Sequence, residues 1–184
     1  MDALLAWYDE ERRELPWRAT SRKPPDPYKV WLSEIMLQQT TVKTVIPYYE
    51  AFLARFESIE QLAAAREEDV LTLWSGLGYY HRARSLHRGA KNLVDSFGGR
   101  FPRTLEAAVA VPGVGLYTAS AVLSIAHGVP LPVVDGNVRR VLARLFCLRG
   151  PRWKKDGAYY NLAEELLDRE HPGDWNQALM ELGA

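Results

Sequence analysis

Two carboxylates in this chain stand where chemistry could use them. Asp135, in the stretch "VVDGNVRRV", lies at the mouth of a basic helical pattern, and Glu34 lies in "KVWLSEIMLQQ", where it and Ser33 are the polar residues between Val30 and Leu37. Asp is among the preferred helix caps because its oxygens accept the orphan N–H groups of the first turn, so capping alone accounts for Asp135. The same helix N-terminus also stabilises an ionised carboxylate that faces a developing cation. Around Glu34, helical spacing sets Trp31, Leu37 and Gln38 on the flank, so its carboxyl is expected among apolar groups. Desolvation there raises a carboxyl pKa and keeps a proton available for a leaving group near neutral pH. The competing reading is a partly exposed helix glutamate paired with a cation. A protonated carboxyl on the leaving group and an ionised one near an oxocarbenium-like cation together suffice to break a glycosidic bond.

A second feature concerns phosphate. "LEAAVAVPGVGLYTASAVLSIA" reads as a helix, a turn from Pro112 to Gly115, and another helix. Glycines at 113 and 115 remove side chains where the turn is tight and open the first N–H groups of the next helix to an anion. An ordinary helix connection would read the same way, but "SGLGYYHRARS" repeats the pattern ahead of a basic helix. Net charge is zero over 184 residues, yet the charge is unevenly placed. Arg139, Arg140, Arg144, Arg149, Arg152, Lys154 and Lys155 fall in a stretch without acids, and Arg82, Arg84, Arg88 and Lys91 form a smaller run. Either these are solvated helix faces or they form a basic stripe along a phosphate backbone.

The elements that must position these residues are helical almost throughout. Leu4, Leu5, Tyr8 and Arg12 to Leu15 suggest a first helix stopped by Pro16; "SRKPPDP" is a rigid loop and "YKVWLSEIMLQQ" a second helix. Pro47 fits the opening turn of a third. Ser58 with Gln61 makes a capping-box signature for "IEQLAAA", and "EEDVLTLWSGLG" precedes a basic helix from Tyr79 to Phe97 that Gly98 and Gly99 end. Thr104 can cap "LEAAVA", Gly128 stops "LYTASAVLSIAH", and "GNVRRVLARLF", "DGAYYNLAEELL" and "DWNQALMELG" complete an all-helical set. Composition does not show where the chain divides. No apolar run reaches membrane-spanning length and the N-terminus does not read as a secretory signal, so a cytoplasmic protein is expected. Cys147 is the single cysteine, in an apolar helical pattern that suggests core, and one thiol holds neither a disulfide nor a cluster.

In order along the chain, "LPWR", "PYKVWLSEIMLQQT", "LWSGLGYYHRAR", "VPGVG" and "VDGNVRRVLAR" resemble the helix-hairpin-helix DNA glycosylases, and within them the adenine-specific MutY branch. The resemblance implies an all-α, two-lobed fold with the active site in the cleft between lobes: 28–132 as a six-helix-type lobe with its hairpin at 105–127, and 1–27 plus 133–184 as the second. It further implies excision of adenine mispaired with 8-oxoguanine or guanine from double-stranded DNA, the base being flipped into a pocket. Glu34 then protonates the base, Asp135 stabilises the sugar cation, and Tyr117 and Asn137 assist. Arg13, Trp17, Arg18, Leu37, Gln177 and Met180 are implied around the base. Gln38, Gln39 and Tyr79 are implied at the gap and opposite base, with Gly113, Val114, Gly115 and Arg139 on the DNA backbone.

Position 117 separates branches of the resemblance. The endonuclease III type carries a lysine there that forms a Schiff base and leads to strand cleavage. Tyr117 cannot do so, which favours a monofunctional glycosylase over an oxidised-pyrimidine glycosylase and lyase, or over a non-catalytic hairpin DNA-binding module. In most of the resembling family the sequence continues past "ELGA" into four cysteines that ligate a [4Fe-4S] cluster and then a further domain, so this chain is expected to be a fragment, and the cluster is expected if the natural protein continues in that way. The expected setting is a bacterial monomer on the nucleoid.

Overall fold

A computed structural model describes residues 2–18, 24–150 and 156–184. Among them the regular elements are helices: α1 (Asp2–Glu11), α2 (Pro27–Met36), α3 (Val42–Arg55), α4 (Ile59–Ala64), α5 (Glu67–Trp74), α6 (His81–Phe97), α7 (Leu105–Val109), α8 (Leu116–His127), α9 (Gly136–Leu145), α10 (Asp156–Leu166) and α11 (Pro172–Leu182). None of them is long and apolar enough to cross a membrane. Part of the loop expected at 21–27, and Arg152, Lys154 and Lys155 of the basic stretch, lie outside the described residues.

Several ends follow the local chemistry. Ser58 accepts the Gln61 N–H at 3.3 Å while Gln61 accepts the Glu57 N–H at 3.0 Å, so the capping box starts α4 with its return bond one residue earlier than the usual pattern. Gly98, in the left-handed region at φ 60°, closes α6. Other ends depart from the expectation. The first helix stops at Glu11 rather than near Pro16, and the Arg13 N–H goes to the Glu181 carboxylate at 3.3 Å instead of continuing the helical ladder. Pro47 is inside α3 and not in its opening turn, because Thr41 accepts the Thr44 N–H and starts the helix earlier. The proline is exposed, and its ring removes one ladder bond without emptying the core. Cys147 is not core: α9 ends at Leu145, the chain turns with Cys147 at φ 50°, and the thiol is exposed.

The chain forms two compact units, one of Met1–Glu14 with Ser120–Ala184 and the other of Leu15–Ala119. In the 15–119 unit, Trp31, Phe52, Trp74, Leu86 and Leu93 are fully buried or nearly so. Phe52 meets Phe56 and Trp74 edge-on at 5.0 and 6.1 Å. Side chains of this size contribute about 2–3 kcal/mol each on burial. In the other unit Val138, Leu142, Tyr159, Trp175 and Leu179 make the core, with Leu4, Leu5 and Met180 packed against it. The division falls within α8, whose residues 118–126 are uniformly buried.

Candidate active-site carboxylates and nucleic-acid interface

Within the unit that contains it, Asp135 is approached by a stretch of irregular backbone from 128 to 135 that one buried side chain organises. Asn176, on α11, donates to Leu131 O at 2.8 Å and to Ser124 Oγ at 3.0 Å and accepts the Val133 N–H at 3.1 Å. The chain then reaches Asp135 in an extended conformation, and α9 begins. Oδ1 of Asp135 accepts the Val138 N–H at 2.8 Å, while Oδ2 accepts the Asn137 side-chain amide at 3.0 Å. A cap needs only the first of these. Burial pushes the Asp135 carboxyl above its ordinary range, and the N–H groups of Val138 and Asn137 pull it back only in part. The carboxylate is therefore less willing to ionise than the helix N-terminus alone would make it. Asn137 also accepts from Arg140 at 2.8 Å, and the backbone of Gly183 packs so closely on Asn137 that a Cβ there would stand 2.6 Å from its carbonyl oxygen.

Other expected residues of this unit have defined partners. Arg139 lies over the Tyr159 ring at 4.8 Å. Gln177 donates to Gly173 O at 3.2 Å on its own helix, and Met180 packs on the core. Arg13 forms a two-pronged pair with Glu181, Nη2 to Oε2 being 2.9 Å. Hydrogen bonding to Glu181 raises the Arg13 pKa, although its burial opposes this. The Glu181 side chain is only 6% exposed.

In the 15–119 unit, Glu34 is 7% exposed on α2, a helix whose residues 30–36 are all buried. This is the enclosed carboxyl the spacing anticipates, with one correction: α2 ends at Met36, Leu37 is its cap, and Gln38 leaves the helical face. Gln39 is exposed at φ 59°. Tyr79, also expected near a helix start, precedes α6 at φ 50° and is 57% exposed. Trp17 is buried edge-on against Tyr49 at 5.2 Å, and Arg18 is half-buried. Tyr117 is the second residue of α8 and half-buried.

The hairpin is laid on α6. Gly113 has φ 81°, and a Cβ there would meet Ser85 Cβ at 2.6 Å, whereas one on Gly115 would meet nothing within 4 Å. Glycine is thus required by the fold at 113, while at 115 it leaves open space. Val114 is buried, so its side chain anchors the turn and only its backbone could face a phosphate.

Arg82 does not belong to a solvated or phosphate-facing stripe. It is 4% exposed and its guanidinium donates to Ile35 O, Met36 O and Leu77 O at 2.9, 3.0 and 3.3 Å. Burial draws its pKa down, with Tyr79 acting in the opposite direction. Its position in phase with Leu86, Ala90 and Leu93 along α6 was the available sign of this. Asn176 gives a similar sign beside Trp175 and Leu179 on α11. Glu181 has no local signal, since Arg13 is 168 residues away.

Residues 32–168 match the HhH-GPD superfamily of base excision DNA repair proteins. The chain belongs to that superfamily. It is 47% identical to the human adenine DNA glycosylase over 99% of its own length, which is 35% of the human protein. It thus spans about a third of that relative. The structure of a thermostable thymine-DNA glycosylase is 31% identical, with a TM-score of 0.86, covering 100% of this chain and 83% of the other. A trapped endonuclease III–DNA covalent intermediate is 23% identical with a TM-score of 0.80, covering 97% and 80%, which speaks to fold. An iron–sulfur cluster, frequent in this superfamily, does not fit the residues present. There is one cysteine, and no group of three His, Cys, Asp or Glu able to hold a metal occurs among the described residues.

Proposed function

We propose that this chain is the glycosylase part of a base-excision repair enzyme that hydrolyses the N-glycosidic bond of adenine mispaired with 8-oxoguanine or guanine in duplex DNA. Glu34 is the proton donor to the leaving base, and Asp135 is the carboxylate that faces the sugar cation until water adds. Asn137 orients Asp135, and Tyr117 assists without forming a Schiff base. Arg13, Trp17, Arg18, Leu37, Gln177 and Met180 shape the base site; the Arg13–Glu181 pair and the Trp17–Tyr49 contact make two of these supports for it. Gln38, Gln39, Tyr79, the hairpin 113–115 and Arg139 meet the DNA, which the protein binds as a monomer. A [4Fe-4S] cluster belongs to this function only where a sequence supplies further cysteines.

The observation that carries the reading is the second bond of Asp135. A side-chain amide of the same helix fixes the oxygen that capping leaves free, so both carboxylate oxygens are held where a cap needs only one. The test measures free adenine released under single-turnover conditions from an adenine:8-oxoguanine duplex by the parent, Glu34→Gln and Asp135→Asn. Loss of about a hundredfold or more in each variant is expected, on the scale of removing one electrostatic stabiliser of a transition state. Equal rates in parent and variants would sink the assignment. The likeness to a thymine-DNA glycosylase favours a second reading, in which thymine is the base removed. A thymine:guanine duplex in the same assay separates the two.

A further inference from the structure

Two surface residues of the 15–119 unit adopt a backbone conformation that non-glycine residues avoid. Gln39 lies at φ 59° and Tyr79 at φ 50°, and both are exposed. Each such residue is strained and persists only where its surroundings fix it. Tyr79 also keeps a large ring 57% exposed. The two residues belong to different connections, 37–41 between α2 and α3, and 75–80 between α5 and α6. One side chain bonds both.

Nη1 of Arg82 donates to Ile35 O, Met36 O and Gln38 O at 2.9, 3.0 and 2.5 Å. Nη2 reaches Leu77 O, Gly78 O and Thr40 Oγ1 at 3.3, 3.4 and 3.4 Å. The first set satisfies orphan carbonyls at the end of α2, where the helix dipole favours a cation. The second set holds the turn that carries Tyr79. The guanidinium lies over the Trp74 and Tyr79 rings at 5.5 and 5.4 Å, so it supports the exposed tyrosine from beneath. One turn further along α6, Ser85 seats Gly113 of the hairpin. The start of α6 therefore organises both strained turns beside the loop that suits a phosphate.

We propose that Arg82 is a positioning residue for mispair recognition: it locks the Gln38–Gln39 turn and the Tyr79 turn into one surface that probes base pairs. This rests on the DNA-directed function given above. An aromatic ring held out at a fixed height can wedge into a base step, and an amide in a fixed turn can reach base edges. Only a planar fork whose two terminal nitrogens diverge spans both turns. A lysine keeps the charge but concentrates its donors on one nitrogen.

The test measures binding of the 184-residue chain to an adenine:8-oxoguanine duplex and to the same duplex fully paired, by fluorescence anisotropy, for the parent, Arg82→Lys, Tyr79→Ala and the double variant. General damage weakens both duplexes alike, whereas the proposal concerns their ratio. Arg82→Lys is expected to reduce the preference for the mispair about tenfold. The double variant is expected to lose less than the product of the two single losses, since Arg82 acts in part through Tyr79 and residues acting as one unit are not additive. An unchanged preference in Arg82→Lys, or losses that multiply in the double variant, overturns the positioning role. Should Arg82→Lys lose its helical circular dichroism, Thr40→Val decides. It removes one acceptor of the guanidinium, together with the bond Thr40 Oγ1 gives Gln38 O at 3.3 Å in the same turn, and leaves the arginine in place, with about a threefold loss of preference expected and no loss overturning the proposal. A parent chain without preference for the mispair removes the functional reading and the proposal with it, whereas a preference retained in the variants removes the proposal alone.

Discussion

Arg82, which is buried, and Asp135, which is half-buried, are two solutions to one problem, a charge withdrawn from water and supported by the backbone. The cation sits at the C-terminal end of α2 among carbonyl oxygens, and the anion sits at the N-terminal end of α9 among N–H groups. In both cases backbone dipoles replace the lost hydration. The difference is reach. Asp135 is bonded to residues two and three positions away, so its environment is largely its own helix. Arg82 is bonded to residues 44 to 47 positions away and joins two connections that share no local sequence. A local device can be weakened without disturbing the rest of the unit; a long-range one cannot.

That contrast can be broken most directly at Arg82. Arg82→Ala leaves several enclosed carbonyls without donors and releases two strained turns. A loss on the order of 3–4 kcal/mol is expected, in the range of a broken buried network. Urea unfolding measures it, and a loss below about 1 kcal/mol would mean that water replaces the guanidinium. The comparison could then no longer be drawn as one between local and long-range devices.

The glycines of α6 and the hairpin sharpen the picture at smaller scale. A Cβ on Gly89 would stand 2.8 Å from Pro112 O and 2.9 Å from Trp31 Cζ2, so Gly89→Ala is expected to destabilise by about 1–3 kcal/mol through overpacking. Gly115→Ala, with nothing within 4 Å, should leave the unfolding midpoint within about 0.5 kcal/mol of the parent. Its effect should appear instead in duplex binding, where the added methyl stands between backbone N–H groups and a phosphate. The opposite pattern would make the hairpin a structural connection.

At Asp135 the two roles separate by substitution. Asp135→Ala removes the cap and is expected to reduce stability by about 1 kcal/mol, while Asp135→Asn retains it and should change stability by a few tenths at most. Thermal unfolding distinguishes them. An equal loss in both would place the stabilising effect in the charge.

How much of this could be read in advance follows the same division. The cap at Asp135, the capping box at Ser58 and the stop at Gly98 depend on residues within a few positions, and the sequence shows them. The end of α1 depends on Glu181, and the end of α2 depends on Arg82, so local signals misplace both. The two lobes were not visible in composition because the division falls inside a buried apolar helix. Asp135 was legible as a cap, while its second bond to Asn137 and its burial were not. The expectation that the helix end favours ionisation omitted the desolvation that opposes it.

The smallest effect concerns His87, a buried titratable group that tests whether backbone carbonyls alone can support a charge. Its ring lies 1% exposed, with Nε2 at 3.0 Å from Ala65 O. Burial lowers its pKa, Lys91 lowers it further, and the carbonyl bond offsets this in part. Unlike Arg82, it has two backbone carbonyls beside it, those of Ala65 and Ala63. Because the folded pKa is below the unfolded value of about 6.5, the unfolded chain binds more protons as pH falls through that value. The stability tied to neutral His87 is therefore present above about pH 6.5 and is lost as pH falls towards the folded pKa. The parent should lose more stability between pH 7.5 and pH 5 than His87→Gln, which can keep a bond to Ala65 without titrating. Urea midpoints at the two pH values measure the difference. The same pH dependence in both proteins would show that the loss arises at other groups and that the Ala65 and Ala63 carbonyls support the imidazolium as well as water does.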